Sequence, residues 1–184
     1  RLFLDWYVSK KIKKKNQNLL KKNLILVLKI LIKKIKFSNK TFVHRDFHVS
    51  NLMIQNKRLC VIDSQDAVFG NIAYDVASLI DDVRFKTSIG FKRILLEEYI
   101  KTNKKINVKN FKNDFEILSV LRNLKIIGIF TRLSIRDKKD NYLKLIPYAW
   151  KLIEQRIDKD KKFIELKIIL DKYFSKKVRN KYEN

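Results

Sequence analysis

The chain has one cysteine, one proline, one methionine and three glycines among its 184 residues. A lone Cys60 excludes an internal disulfide, so the fold must rest on burial and hydrogen bonds; it reads as a small buried residue in a reducing, cytoplasmic setting. The longest apolar runs, near Leu24–Val27 and Ile126–Phe130, are cut short by Lys or Arg, far below the roughly 18 residues of a spanning helix, and no membrane partner is expected. The 43 residues ahead of His44 hold no glycine, which excludes a glycine-rich phosphate cradle there. Acidic residues are also scarce: 19 Asp and Glu face 43 Lys and Arg, a formal charge of +24. Such a balance usually points to nucleic acid, because clustered cations release counterions from phosphates. Here 33 Lys outnumber 10 Arg, are spread along the whole chain and accompany 24 Ile, a drift toward Lys, Ile and Asn throughout. A generally basic solvated surface follows, and nucleic acid is not the expected partner.

What is present is concentrated in Val43–Leu79, VHRDFHVSNLMIQNKRLCVIDSQDAVFGNIAYDVASL. Behind His44-Arg45 stands Asp46, then Asn51 five positions on and Asp63 twelve after that. Phosphoryl transfer needs little covalent work from a protein: one carboxylate for the acceptor hydroxyl, and oxygen ligands for the magnesium ions that bridge the phosphates. Asp46 suits the first role, Asn51 and Asp63 the second, since magnesium is hard and needs only one or two protein oxygens beside phosphates and water. Residues 52–55 and 58–62 are short β-prone runs about Asn56-Lys57, which predicts a hairpin. A hairpin brings the foot of each strand back to one level, and so sets Asn51 beside Asp63. Each element taken singly is also compatible with an Asp- and Asn-rich turn followed by a surface hairpin; the ordered set favours a site.

The remainder predicts helices. Residues 2–9 and 17–36 come first, the latter with Leu19, Leu20, Leu24, Val27, Leu28, Leu31, Ile32 and Ile35 at spacings of three and four and lysines between. Trp6 and Tyr7 read as packing residues, and Thr41-Phe42-Val43 as the strand that delivers the loop. Residues 64–73 read as irregular, 74–84 and 91–101 as helices, 102–110 as a Lys- and Asn-rich connection. Residues 115–136, 141–157 and 161–175 complete the helices, with Pro147 near a start or kink, and 178–184 reads as a frayed charged tail. Asp81 and Asp82, adjacent on a helix and so pointing apart, read as solvated charges. At 100° per residue, Arg122, Lys125, Ile129, Arg132 and Arg136 fall on one stripe about 80° wide. Ion pairs or exposure account for it on one reading; on the other it borders an acceptor cleft. The fold class is α+β, mostly α, in a single domain over 1–184.

HRDFHVSNLM, VIDSQDAVFG and AYDVASL, with LFLDWYV at 2–8 and LKIIGIFTRLSIRD at 124–137, resemble the aminoglycoside phosphotransferase and choline kinase-like superfamily. Within it they look most like bacterial kinases that phosphorylate N-acetylmuramate and N-acetylglucosamine at the anomeric hydroxyl in cell-wall recycling. The resemblance implies a protein-kinase-like C-terminal lobe with a small catalytic-loop hairpin, whose N-terminal nucleotide-binding lobe lies outside this chain, so that the fragment alone is inactive. It implies ATP as co-substrate, Mg2+, and an amino sugar as acceptor. By the same resemblance Asp75 reaches back to the catalytic-loop backbone, with His44 and Arg45 as loop support. His48 buttresses the loop or touches the acceptor, Asp66 contacts metal or substrate or simply forms a turn, and Arg132 leads the basic stripe in reaching substrate. Another acceptor of the superfamily, such as an aminoglycoside, choline or homoserine, is the alternative, as is a catalytically silent basic binding module. Two departures stand out: Ser64 replaces the usual aromatic after the metal-binding Asp, and the hairpin is about one residue short.

Overall fold

A computed structural model of the protein describes residues 1–182. In chain order, a π-helical segment, Phe3–Val8, continues as α1 (Ser9–Lys11) and is followed by α2 (Lys14–Lys33), β1 (Thr41–Val43), a 3-10 turn Val49–Asn51, β2 (Leu52–Gln55) and β3 (Arg58–Val61). A second 3-10 turn, Ser64–Asp66, leads to β4 (Val68–Gly70), α3 (Ala73–Ile80), α4 (Ile89–Thr102) and α5 (Val108–Asp137). The 3-10 segment Asp140–Leu145, α6 (Ile146–Ile157), the 3-10 turn Lys161–Phe163, α7 (Ile164–Tyr173) and α8 (Lys176–Arg179) complete it. Contacts divide these elements into two compact units, Ile35–Ser119 and Arg1–Lys34 with Val120–Asn184.

The unit Ile35–Ser119 carries all the strands. β1 pairs antiparallel with β4, Phe42 opposite Phe69, and β2 with β3, Met53 opposite Cys60. Asn56 and Lys57 both take positive φ, 50° and 62°, the paired left-handed conformation whose twist matches a two-residue hairpin. The expected hairpin is therefore present, tight turn included. Below it, Ala73, Ala77 and Ile80 of α3 pack with Phe111, Phe115 and Leu118 of α5. Polar side chains lock this core to the backbone. The buried Asp114 accepts from the amides of Lys36 and Phe37 at 2.8 Å each and from Asn71 Nδ2 at 2.8 Å. Asn71 in turn accepts from Ala73 N and so caps α3.

The other unit closes around an aromatic cluster. Phe3, Tyr7, Trp150 and Phe174 lie with ring centroids 5.4–6.0 Å apart. Trp150 Nε1 donates to the Tyr7 hydroxyl at 3.2 Å, and burial pushes that hydroxyl well above its ordinary range. A Cβ at Gly128 would fall far inside contact with the backbone of Leu2 and Phe3, so only glycine lets this helix meet the π-helical segment.

Several elements differ from expectation. α2 starts three residues early and stops at Lys33, so Ile35 lies beyond it. Leu20, Leu24, Val27 and Leu31 are buried, but Leu19 and Ile32, read as part of the same face, are exposed because they flank that stripe. α5 begins at Val108, because Asn107 Oδ1 accepts from Asn110 N and Phe111 is buried, so part of the expected 102–110 connection is helix. β4 occupies what read as irregular chain, because β1 offers it a ladder. Pro147 is near a helix start, as expected: it sits in the first turn of α6, where its missing N–H costs nothing, and the segment Asp140–Leu145 before that helix is 3-10 rather than α. The tail does not fray through Tyr182. Arg179, 4% exposed, bonds Glu154 and Asp171 at 2.6 Å each and lies 4.9 Å over the Trp150 ring; residues 183–184 lie outside the described residues. Cys60 is half-buried rather than buried.

Candidate active site

The loop from His44 to Asn51 leaves β1 and enters the hairpin through the 3-10 turn Val49–Asn51. Its shape is fixed by hydrogen bonds to groups that the sequence places elsewhere. Arg45 has φ 71°, a conformation costing a bulky residue about 1–3 kcal/mol and sustained only where neighbours over-determine it. Asp75, in the first turn of α3, supplies that constraint: its carboxylate accepts from His44 N at 2.6 Å and Arg45 N at 3.1 Å. Arg45 Nη1 also donates to Asp66 O at 3.1 Å. The buried His44 donates from Nε2 to Ile62 O at 3.0 Å, tying the loop to the residue before Asp63. Tyr99, within the same unit, lines a cavity together with Asp75, and its hydroxyl is raised first by burial and then by the negative charge of that carboxylate.

Asn51 and Asp63 stand at the two feet of the hairpin. Ile62 N donates to Asn51 O at 3.0 Å, which holds the two strand ends level. Asn51 Nδ2 donates to Asp46 O at 2.9 Å; among the described residues no group donates to its Oδ1. Asp63 takes φ 72°, tolerable for a short polar residue, and its Oδ1 accepts from Gln65 Nε2 at 2.6 Å. Asp46 is half-buried, and no described group donates to its carboxylate. The outcome is three oxygen-bearing side chains on one hydrogen-bonded loop and hairpin: an unpaired carboxylate, an amide oxygen and a second carboxylate. Hard oxygen donors of this kind suit magnesium. A cavity of about 350 Å³ lined by Phe42, His44, Phe47, Val61, Ser64 and Asp75 adjoins the loop.

The other expected residues divide. His48 is buried and its carbonyl accepts from Asn51 N, so it belongs to the turn. Asp66 is exposed, its backbone engaged by Arg45. Arg122, Lys125, Arg132 and Arg136 belong to the unit Val120–Asn184 with Arg1–Lys34, and the catalytic-loop candidates to the other. Arg122 is buried, Lys125 and Arg132 half-buried, and Arg136 exposed. Arg136 bonds Asp137 at 2.6 Å, which holds that carboxyl below its ordinary value.

Asp81 and Asp82 are not the solvated pair they read as. Both are buried. Asp81 accepts from Ser119 Oγ at 2.6 Å and pairs with the buried Lys92 at 3.1 Å, and Lys92 also donates to Ile80 O. Asp82 accepts from Val49 N at 3.2 Å and Arg84 N at 3.0 Å. A signal was available: carboxylates at the C-terminal end of an apolar helix sit at the negative pole of its dipole, a cost that donors must offset.

A model of the phosphotransferase enzyme family matches residues 1–106. The chain is 35% identical to an N-acetylmuramate/N-acetylglucosamine kinase of Neisseria meningitidis over 79% of its own length and 46% of that protein's. It is 27% identical to the kinase of that name from Pseudomonas aeruginosa, over 90% and 51%, and 31% identical to the one from Caulobacter vibrioides, over 75% and 39%. The chain thus spans about half the length of the relatives it matches or less. Among the described residues no helix is long and apolar enough to cross a membrane.

Proposed function

The chain belongs to the phosphotransferase enzyme family, and we propose that it is the catalytic C-terminal lobe of a cytoplasmic small-molecule kinase that acts on an acetylated amino sugar. The acceptor on this reading is the anomeric hydroxyl of N-acetylmuramate or N-acetylglucosamine, and the reaction serves peptidoglycan recycling. The observation that carries it is the loop itself: Asp46 stands without a donor while its own carbonyl is held by the Asn51 amide, and Asp63 is held level with Asn51 across the hairpin. The names of the relatives support the acceptor.

Asp46 accepts or orients the proton of the attacking hydroxyl. An anomeric hydroxyl is more acidic than an ordinary alcohol, so an aspartate suffices as base and alignment supplies most of the rate. Asn51 Oδ1 and the Asp63 carboxylate would hold Mg2+, which, when bound with ATP, neutralises charge on the transferring phosphoryl group. Asp75, His44 and Arg45 hold the loop that presents these groups. The nucleotide's cover is the N-terminal lobe expected outside this chain. Exposed Ile54, Leu59 and Phe69 on the strands are consistent with a partner lobe covering them.

The test joins the chain to its upstream reading frame and assays the product with ATP, Mg2+ and a panel of N-acetylmuramate, N-acetylglucosamine, an aminoglycoside and choline. Phosphorylation of an acetylated amino sugar is expected, with Asp46→Asn lowering turnover by about 10²–10⁴ while nucleotide affinity stays unchanged. Turnover on another panel member alone would move the enzyme to a different acceptor. A fully active Asp46→Asn variant would remove the mechanism.

A further inference from the structure

Asp75 stands in the first turn of α3, and Asp82 in the chain two residues beyond its last residue, Ile80. The first takes the amides of His44 and Arg45, at the start of the loop. The second takes the amide of Val49, at the start of the 3-10 turn that ends in Asn51. Asp46 and Asn51 therefore lie on a stretch of backbone held at one end by a carboxylate of α3 and at the other by one from the chain just past that helix. Asp82 is 1% exposed and has its other oxygen on Arg84 N, so its orientation is set independently of the loop. The neighbouring Asp81 serves the scaffold instead, pinning the end of α3 to α4 and α5 through Lys92 and Ser119.

We propose that Asp82 is a positioning residue for metal binding: by holding Val49 N it fixes the turn that aims Asn51, and hence the relation of Asn51 to Asp46. The role rests on the phosphotransferase reading of this site. Asp82 touches neither substrate nor metal, and acts through the Val49–Asn51 backbone. Asp75 sets where the loop begins, and Asp82 where it ends. A carboxylate acceptor is stronger than a neutral one, so the single 3.2 Å bond from Asp82 holds this end of the loop, less firmly than the two bonds by which Asp75 holds the other.

Amide exchange and Mn2+ titration, both followed by NMR on the 184-residue chain, test it with Asp82→Asn, Asp82→Ala and Asp81→Asn. In the native chain, Mn2+ should broaden signals flanking Asn51 and Asp63. Asp82→Asn should speed exchange at Val49 and Asn51 about tenfold, leave Phe111 and Phe115 protected, and raise the Mn2+ needed for the same broadening several-fold. Asp82→Ala should do more of the same; the Asn variant, which keeps one acceptor oxygen, carries the test alone where the Ala variant does not fold. Asp81→Asn should instead loosen α3 and α4 broadly. Unchanged exchange at Val49 and Asn51 in Asp82→Asn, or a loss as diffuse as that of Asp81→Asn, would overturn the proposal. So would an unaltered Mn2+ titration in that variant, which leaves the metal site itself standing. No broadening in the native chain would bring down the metal-site reading and the positioning role with it, and faster exchange at Val49 would then report a hydrogen bond that serves the fold alone.

Discussion

The two units are stabilised by different means. One closes around Phe3, Tyr7, Trp150 and Phe174, large side chains with little freedom once packed. The other contains the carboxylates of Asp75, Asp82 and Asp114, which capture backbone amides of chain lacking regular structure. Aromatic packing has broad orientational preferences and gains mainly from buried area, so it tolerates small shifts and suits a scaffold. A carboxylate accepting two amides has one good geometry, and so suits a loop whose side chains must be aimed. The difference predicts that damage to one unit registers as stability, and to the other as local order and chemistry.

Asp114→Ala should be among the most costly changes to stability. It strips the acceptor from the buried Asn71 amide, the part-buried backbone amides of Lys36 and Phe37, and Asn113, worth about 3 kcal/mol by chemical denaturation. A loss below about 1 kcal/mol would mean that water takes over the amides, and the contrast between units would weaken. Gly128→Ala should cost about 3 kcal/mol, because the new methyl meets backbone rather than a movable side chain. Arg179→Met should cost about 2 kcal/mol: it leaves Glu154 and Asp171 without their buried cation, although both acids keep partial access to water. The same ion pair makes the aromatic unit sensitive to acid. Burial alone would raise the Asp171 carboxyl, but the Arg179 hydrogen bond and the charges of Arg179 and Lys167 hold it below its ordinary value. A depressed folded-state pKa stabilises the protein above about pH 4 and is lost as pH falls through the folded value. Melting temperature should therefore fall from about pH 5 toward about pH 2, less steeply in Arg179→Met; parallel curves would exclude the pair as a cause. Phe69→Ser should change stability least, within about 0.5 kcal/mol, since its ring is 78% exposed. A large loss there would show that the strand contributes to the core after all.

Much of this is legible in the chain. The hairpin follows from two β-prone runs around Asn56-Lys57, because a two-residue turn leaves few alternatives. The centre of the buried face of α2, Leu20, Leu24, Val27 and Leu31, follows from its spacing, since a helix repeats every 3.6 residues, but the width of that face does not: Leu19 and Ile32 fit the pattern and are exposed. The order His44, Arg45, Asp46, Asn51, Asp63 marks the candidate site, and the family model covers the same region. The start of α5 escapes a reading of composition because Lys and Asn mask a helix whose cap, Asn107, and first core residue, Phe111, matter more than average polarity. β4 escapes it because three residues carry no periodicity.

The sequence by itself determined local conformation and the chemistry on offer: which residues can cap, bind a hard cation or accept a proton, and where the chain must turn. These depend on near neighbours and are written in spacing. Tertiary structure alone decided which carboxylates meet which amides. Asp81 and Asp82 look alike in the chain, yet one pairs with Lys92 and the other takes Val49 N, contacts across 11 and 33 residues. The fate of a buried charge is set by donors brought near it from distant parts of the chain, and no local pattern records which donors those will be.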